Sequence, residues 1–350
     1  MNGDVYDRLA DALDRLPNGF PRTASGVEIR VLQKMFTAEE AALACQLTGN
    51  FETIAEIAER VGLSTRETAQ QLKNLAERGM VWNVMQAGRA YFRLAPFIVG
   101  VYEAQVNVID HELAHLIEDY FNEGGQGIMA FQPALHRVVP AQKSVKSEWI
   151  LPYDDVRSIL LSAKAFNAQD CICRRQQNLL GHPCDFPVTF CLNFSQNERA
   201  ARPGDISQSE ALAILDKAEE IGLVHTVANV VEGVFYICNC CGCCCGILRG
   251  ITEFGIENSV AFANYFAVID ADLCSGCGIC SGRCQVKAIS EVGGVSVVDR
   301  KRCIGCGLCV TGCPNEAARL ERKPDAETIH PPADYGAWEE ERLRYRGLAA

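Results

Sequence analysis

No stretch of this chain approaches the 18 apolar residues that a membrane helix needs, so nothing is expected to span a bilayer. The opening residues, "MNGDVYDRLADALDRL", lack both the basic n-region and the apolar h-region of a secretion signal. No C-x3-C-x2-C occurs, so the sequence does not look like a radical-SAM enzyme. No G-x-G-x-x-G opens a helix after a strand, so there is no sign of a Rossmann-type flavin or nicotinamide site. Positive charge is also scarce. Lys and Arg total 33 against 44 Asp and Glu, a net charge of −11, which argues against indiscriminate nucleic-acid binding. These absences leave a cytoplasmic protein as the expectation, with 350 residues allowing two or three domains.

Cysteine is what the chain has in excess, with nineteen residues. In a reducing compartment so many thiols point to soft-metal ligation rather than to disulfides. Eight of them fall in two copies of C-x2-C-x2-C-x3-C: Cys274, Cys277, Cys280, Cys284 and Cys303, Cys306, Cys309, Cys313, the second followed by Pro314. Zinc knuckles use two cysteines per loop, so a third evenly spaced thiol favours an iron–sulfur cube. At an offset of 29 residues the repeat continues outside the thiols: Asp270 onto Asp299, Gly276 onto Gly305, Gly278 onto Gly307, Ala288 onto Ala317. Between the halves, "SEVGGVSVVD" predicts a tight hairpin turning at Gly293-Gly294.

Residues 263–323 therefore resemble a bacterial two-[4Fe-4S] ferredoxin domain. The resemblance implies that Cys274, Cys277, Cys280 and Cys313 hold one cluster and Cys303, Cys306, Cys309 and Cys284 the other. One position departs from the family: Gln285 stands where a proline usually follows the fourth cysteine. Proline there fixes a turn and ligates nothing, so a looser local backbone is expected, not a lost cluster.

Ten further cysteines lie in 136–262: Cys171, Cys173, Cys184, Cys191, Cys238, Cys240, Cys241, Cys243, Cys244 and Cys245. Crowding six thiols into "CNCCGCCC" brings no packing advantage and invites oxidation, so metal sequestration is the physical reason to keep them. The words "CICR", "HPCDFP", "CLNF", "GLVH" and "ICNCCGCCC" resemble a recurring, poorly defined family of ferredoxin-fused proteins, from which no residue roles carry over. Ten thiols suffice for one or two more [4Fe-4S] clusters, with zinc as the alternative. Because Cys-x-Cys neighbours usually cannot both reach adjacent irons, some of the ten are expected to be non-ligands. His182 and His225, close by in sequence, read as hydrogen-bonding neighbours. The helix opened by Ser207-x-x-Glu210 and ended by Gly222 is expected to bring the two cysteine groups together.

The first 96 residues read as a winged-helix-like helical domain. Thr37-x-x-Glu40 and Ser64-x-x-Glu67 are capping boxes, and "MVWNVMQAGRAYFRL" alternates as two strands. Residues 51–95 carry six bases against five acids, little for a DNA module, so DNA is the lesser expectation as partner. A long connecting helix is expected from 97 to about 122, followed by a loop to 135. On it, His111-Glu112-x-x-His115 spells the zinc-protease signature, but His111, His115, Glu118 and Asn122 lie opposite an apolar stripe of Ile109, Leu113, Leu116 and Tyr120. That arrangement reads as a solvated face. The charged tail, 324–350, reads as a surface arm or partner contact.

The expected fold class is α+β: a helical winged-helix-like domain, a mixed cysteine-rich middle, and a small ferredoxin-like α+β domain. The expected function is a multi-cluster iron–sulfur protein relaying electrons to or from a redox enzyme or carrier protein. An iron–sulfur redox-sensing transcriptional regulator, or an oxidoreductase subunit with chemistry at the middle thiols, is the alternative.

Overall fold

Side-chain caps set the helix starts of the N-terminal region. Thr37, Ser64 and also Thr53 each accept a hydrogen bond from the N–H three residues on, and Glu40, Glu67 and Glu56 return it. The computed structural model describes residues 4–146, 150 and 154–349, a mixture of helix and sheet in two compact units. Among the described residues no helix is long and apolar enough to cross a membrane.

The first unit comprises residues 1–131, 175–182 and 340–350. Its helices Val5–Asp14, Val27–Met35, Ala38–Ala44, Ile54–Val61 and Thr65–Glu77 precede a hairpin of Val81–Gln86 and Arg89–Leu94. The short strand Glu52–Thr53 adds to the free edge of Arg89–Leu94. The long helix expected from 97 to 122 is interrupted. Asp110, in extended conformation, accepts the Leu113 N–H at 2.8 Å and starts a new helix, His111–Glu123. Its buried stripe is Leu113, Ala114, Ile117, Tyr120 and Phe121, in place of the one centred on Ile109 and Leu116. Tyr120 packs on Phe20 and Phe97 with ring centroids 5.0 and 5.6 Å away, forming an aromatic core.

The tail is not a free arm, because its helix Tyr335–Tyr345 carries Arg342 into this unit with no exposed surface. Arg342 donates to the carbonyls of Pro17, Phe131 and Ile128 at 3.0, 2.6 and 2.6 Å. A pattern of charges in sequence shows solvated and buried guanidinium alike.

The second unit comprises 132–174 and 183–339. Six antiparallel strands run in the order His136–Val139, Val224–Ala228, Tyr236–Cys240, Cys191–Ser195, Ala165–Gln169, Asp205–Ile206. The helix Gln208–Ile221 starts on the Ser207/Glu210 box and stops at Gly222, whose φ of 93° suits glycine. Trp338 is buried in this unit, its Nε1–H donating to the Ala134 carbonyl at 3.0 Å.

His136 sits in the edge strand of this sheet, buried, with Nδ1 3.2 Å from the Thr226 hydroxyl and its ring against Tyr236. Burial pushes its pKa down from 6.5 to about 4. The folded state thus binds this proton less readily than the unfolded chain. Stability from the neutral ring is full above pH 6.5 and drains away as pH falls toward 4, about 3 kcal/mol in all. His136→Gln should flatten that limb of the pH–stability curve, measured by denaturant unfolding between pH 7 and 5. An unchanged slope would show that His136 is not its source.

Candidate metal centres

The region 263–323 folds as two pseudo-equivalent halves. Strands Tyr265–Ile269 and Ala318–Arg322 pair antiparallel, as do Ile289–Val292 and Val295–Val298. The offset of 29 maps one strand pair onto the other with the halves exchanged: Ile269 faces Ala318, and Val298 faces Ile289. The same exchange governs the loops. The Cys274 and Cys303 N–H groups donate to the Asp270 and Asp299 carbonyls, both at 3.0 Å. Gly276 has φ 66° and Gly305 φ 74°, and a Cβ on either would lie 2.4 Å from a carbonyl oxygen, that of Gly294 or of Tyr265. Only glycine satisfies both the positive φ and the close approach.

These loops bring the eight thiols into two sets. Cys274, Cys277, Cys280 and Cys313 line one pocket together with Ile269 and Pro314. Cys284, Cys303, Cys306 and Cys309 lie close enough to perturb one another. Burial, then the neighbouring Cys303 and Cys284 and lastly Cys280 of the other set, pushes the Cys309 thiol up to about 12. Cys306 is raised too, by burial and then by Cys309, Cys284 and Cys303. Backbone donors aim at the sulfurs: Ser296 N–H at Cys274 and Ala267 N–H at Cys303, each 3.4 Å, and Ala288 N–H at Cys284, 3.1 Å. Soft thiol donors with N–H groups directed at sulfur fit an iron–sulfur cluster.

The ten middle thiols separate into a four and a six. Cys184, Cys241, Cys243 and Cys244 have their Sγ atoms all within 4.8 Å of one another. The distances Cys184–Cys241, Cys184–Cys243 and Cys243–Cys244 are 3.7, 3.6 and 3.6 Å. Hydrogen bonds from Cys243 and Cys244 hold the Cys241 thiol far below its usual range, with Arg174 adding to this, while Cys243 is pushed up to about 12. Beneath the four lie Phe190, Ala218 and Leu223, so the helix Gln208–Ile221 and the turn after it form their floor.

The other six form a closed ring of side-chain contacts, running Cys171–Cys173–Cys245–Cys240–Cys238–Cys191 and back to Cys171. Sheet geometry explains the division. Leu192 pairs with Ile237, which sets Cys191 opposite Cys238, and Cys240 is two residues further on the same face. Cys241, one residue on, turns away to the four. Cys245 caps the helix Gly246–Thr252, and Cys173 lies in the first turn of the helix Ile172–Leu179. The two flanking thiols lower Cys171 well below its ordinary value and Cys240 to about 6, while the remaining four are raised.

Arg174, fully buried, was not singled out from the sequence although it stands in "CICR" beside Cys173. Its guanidinium donates to the Asn239 carbonyl at 2.7 Å and the Pro187 carbonyl at 3.1 Å. Its pKa is raised, against the desolvation that lowers it, by Cys171, Cys241 and Cys240, members of both thiol sets. His225 is buried and turned to Asn239 at 2.6 Å and Glu219 at 3.4 Å, whereas His182 is exposed. His111 and His115 are exposed with Nε2 atoms 3.3 Å apart, Glu112 pairs with Lys34, and Glu118 accepts from Gln176 and Gln177 at 3.0 Å each.

Residues 266–314 match the family described as 4Fe-4S dicluster domain. Neither the curated proteins nor the solved structures provide a match for the chain. The family match and the clustered thiols make this an iron–sulfur, metal-binding protein whose segment 266–314 is of the [4Fe-4S] type.

Proposed function

We propose that the protein is a multi-cluster electron relay of the reduced cytoplasm, serving a redox enzyme or carrier protein. The clusters, when bound, supply reversible one-electron chemistry. Cys274, Cys277, Cys280 and Cys313 would hold one [4Fe-4S] cluster, Cys303, Cys306, Cys309 and Cys284 a second, and the six-thiol ring a further iron–sulfur centre.

The observation that carries this reading is the contact made by Gln285. Its Oε1 accepts the Gly242 N–H at 2.8 Å and its Nε2 donates to the Gly222 carbonyl at 2.8 Å. Cys284 is thereby held against the loop that contains Cys241 and Cys243. Next to it, Arg283 donates to the carbonyls of Glu219, Glu220 and Leu308 at 2.7–2.8 Å. On the other half, the Ala141 N–H donates to the Cys306 carbonyl at 2.9 Å. The first thiol set faces outward instead: Cys277 is exposed, flanked by exposed Leu273 and Ile279. An exposed thiol set at one side and the Gln285 tie from Cys284 toward the middle module at the other would suit transfer from a docked carrier to the interior. An apolar surround at an exposed cluster is the kind of small, transient contact that carriers make.

The winged-helix-like region serves in this reading as a protein-docking element. On the helix Thr65–Glu77 Lys73 pairs with Glu77, and Arg78 just past its end is engaged by Glu40 and the Met35 carbonyl, which leaves little charge to meet phosphate.

Reconstitution with iron and sulfide under argon, followed by iron and sulfide analysis and EPR of the dithionite-reduced protein, tests the proposal. The expected result is more than about eight irons per chain, two cubes' worth in the ferredoxin segment plus the ring, with interacting spins. A content below about eight would overturn it.

A further inference from the structure

The four-thiol site and the cluster sites differ in size within one molecule. Among the described residues, Cys184, Cys241, Cys243 and Cys244 are the one group of His, Cys, Asp or Glu ligand atoms lying within 4.8 Å of one another. The eight thiols of the ferredoxin segment form no such group. A cubic cluster binds each thiolate to a different iron, which keeps the sulfurs apart. A single tetrahedral ion binds all four, and with a metal–sulfur bond of about 2.3 Å the tetrahedral edge is about 3.8 Å. The observed Sγ separations of 3.6, 3.7 and 3.6 Å match that edge.

From this we infer that Cys184, Cys241, Cys243 and Cys244 bind one tetrahedral zinc ion, separate from the iron–sulfur sites, which fixes the shape of the Cys241–Cys243 loop that presents Gly242 to Gln285. A four-cysteine site with no open position is the structural, not the catalytic, kind. Cys243 is exposed, so an ion has access from solvent, while Cys241 and Cys244 sit on the apolar floor of Phe190, Ala218 and Leu223. Buried Arg174, against Cys241, offsets part of the negative charge that four thiolates leave on a divalent ion. Gly242 lies between two of the ligands, and its N–H is the donor to Gln285. Zinc has no redox chemistry, so the loop would hold the same shape whatever the oxidation state of the clusters beside it.

The inference rests on the relay reading only in leaving the other thiols to iron, and metal counting separates the two. Protein isolated under argon from medium containing both metals should carry about one zinc per chain. Cys184→Ser should lose that zinc and leave the iron and sulfide content unchanged. If the variant instead loses about four irons and four sulfides, the site holds a cube and the inference is wrong. A wild-type protein with no zinc would overturn it equally. Should Cys184→Ser not fold, wild-type protein produced with cobalt in place of zinc supplies the second measurement. Intense visible bands of tetrahedral cobalt thiolate, at one cobalt per chain, are expected, and their absence counts against the site. Iron below about eight per chain with zinc retained would sink the relay and leave the zinc site standing.

Discussion

Gly242→Ala is expected to push the Cys241–Cys243 loop off the ferredoxin segment, with loss of metal from the four-thiol site and a marked drop in stability. A Cβ at position 242 would lie 1.9 Å from the Gln285 carbonyl oxygen and 2.9 Å from its carbon. Both are backbone atoms, so no side-chain rotation relieves the overlap and one chain must retreat. The Gly242–Gln285 hydrogen bond is then lost together with the close contact. Overpacking of this kind costs about 1–3 kcal/mol, and a backbone obstacle places this case at the upper end. Gly282→Ala is the control, because nothing lies within 4 Å of a Cβ there and the residue is helical. It should be neutral or stabilising by up to about 1 kcal/mol. Thermal unfolding and metal analysis of the two variants side by side decide the matter. Equal behaviour would mean that the loop and the ferredoxin segment do not meet at Gly242.

The ferredoxin segment was legible in sequence because its information is local and repeated. Thiol spacing, the glycines at 276 and 305, and the Gly293-Gly294 turn are each set by neighbours a few residues away. The division of the ten middle thiols was not legible. It depends on Cys191 meeting Cys238 across a strand pair 47 residues apart, and on where the strand Tyr236–Cys240 ends. Cys238 and Cys240, a Cys-x-Cys pair of the kind expected to include non-ligands, face the same side because both project from one face of that strand. Gln285 was read as a loosened turn. It is instead a two-handed tie between Gly242 and Gly222, a use that proline, with no side-chain donor or acceptor, cannot have. The break at Asp110 is of the opposite kind. Its signal, an Asp before a helical run, was present in the sequence and was outweighed by the apolar period on either side.

Arg342→Leu should cost the N-terminal unit about 3 kcal/mol or more, the loss expected when three carbonyls lose a buried donor together. Leucine fills similar space but donates nothing, so the carbonyls of Pro17, Ile128 and Phe131 lose their guanidinium donor. Each buried acceptor left without a donor costs about 1–3 kcal/mol by itself. The guanidinium also lies over the Phe131 ring at 5.6 Å, a contact that leucine replaces only in part. Arg342→Lys separates charge from shape. It keeps the positive charge, but one ammonium cannot span three carbonyls that the planar fork reaches together, so most of the loss should persist. Hydrogen exchange locates the effect, since a global midpoint in a protein of two units mixes their stabilities. Protection should fall in 5–20 and 125–131 in both variants, while the strands of the ferredoxin segment keep theirs. Wild-type protection near Pro17 and Ile128 in Arg342→Leu would show that the buried arginine is dispensable to the unit that encloses it.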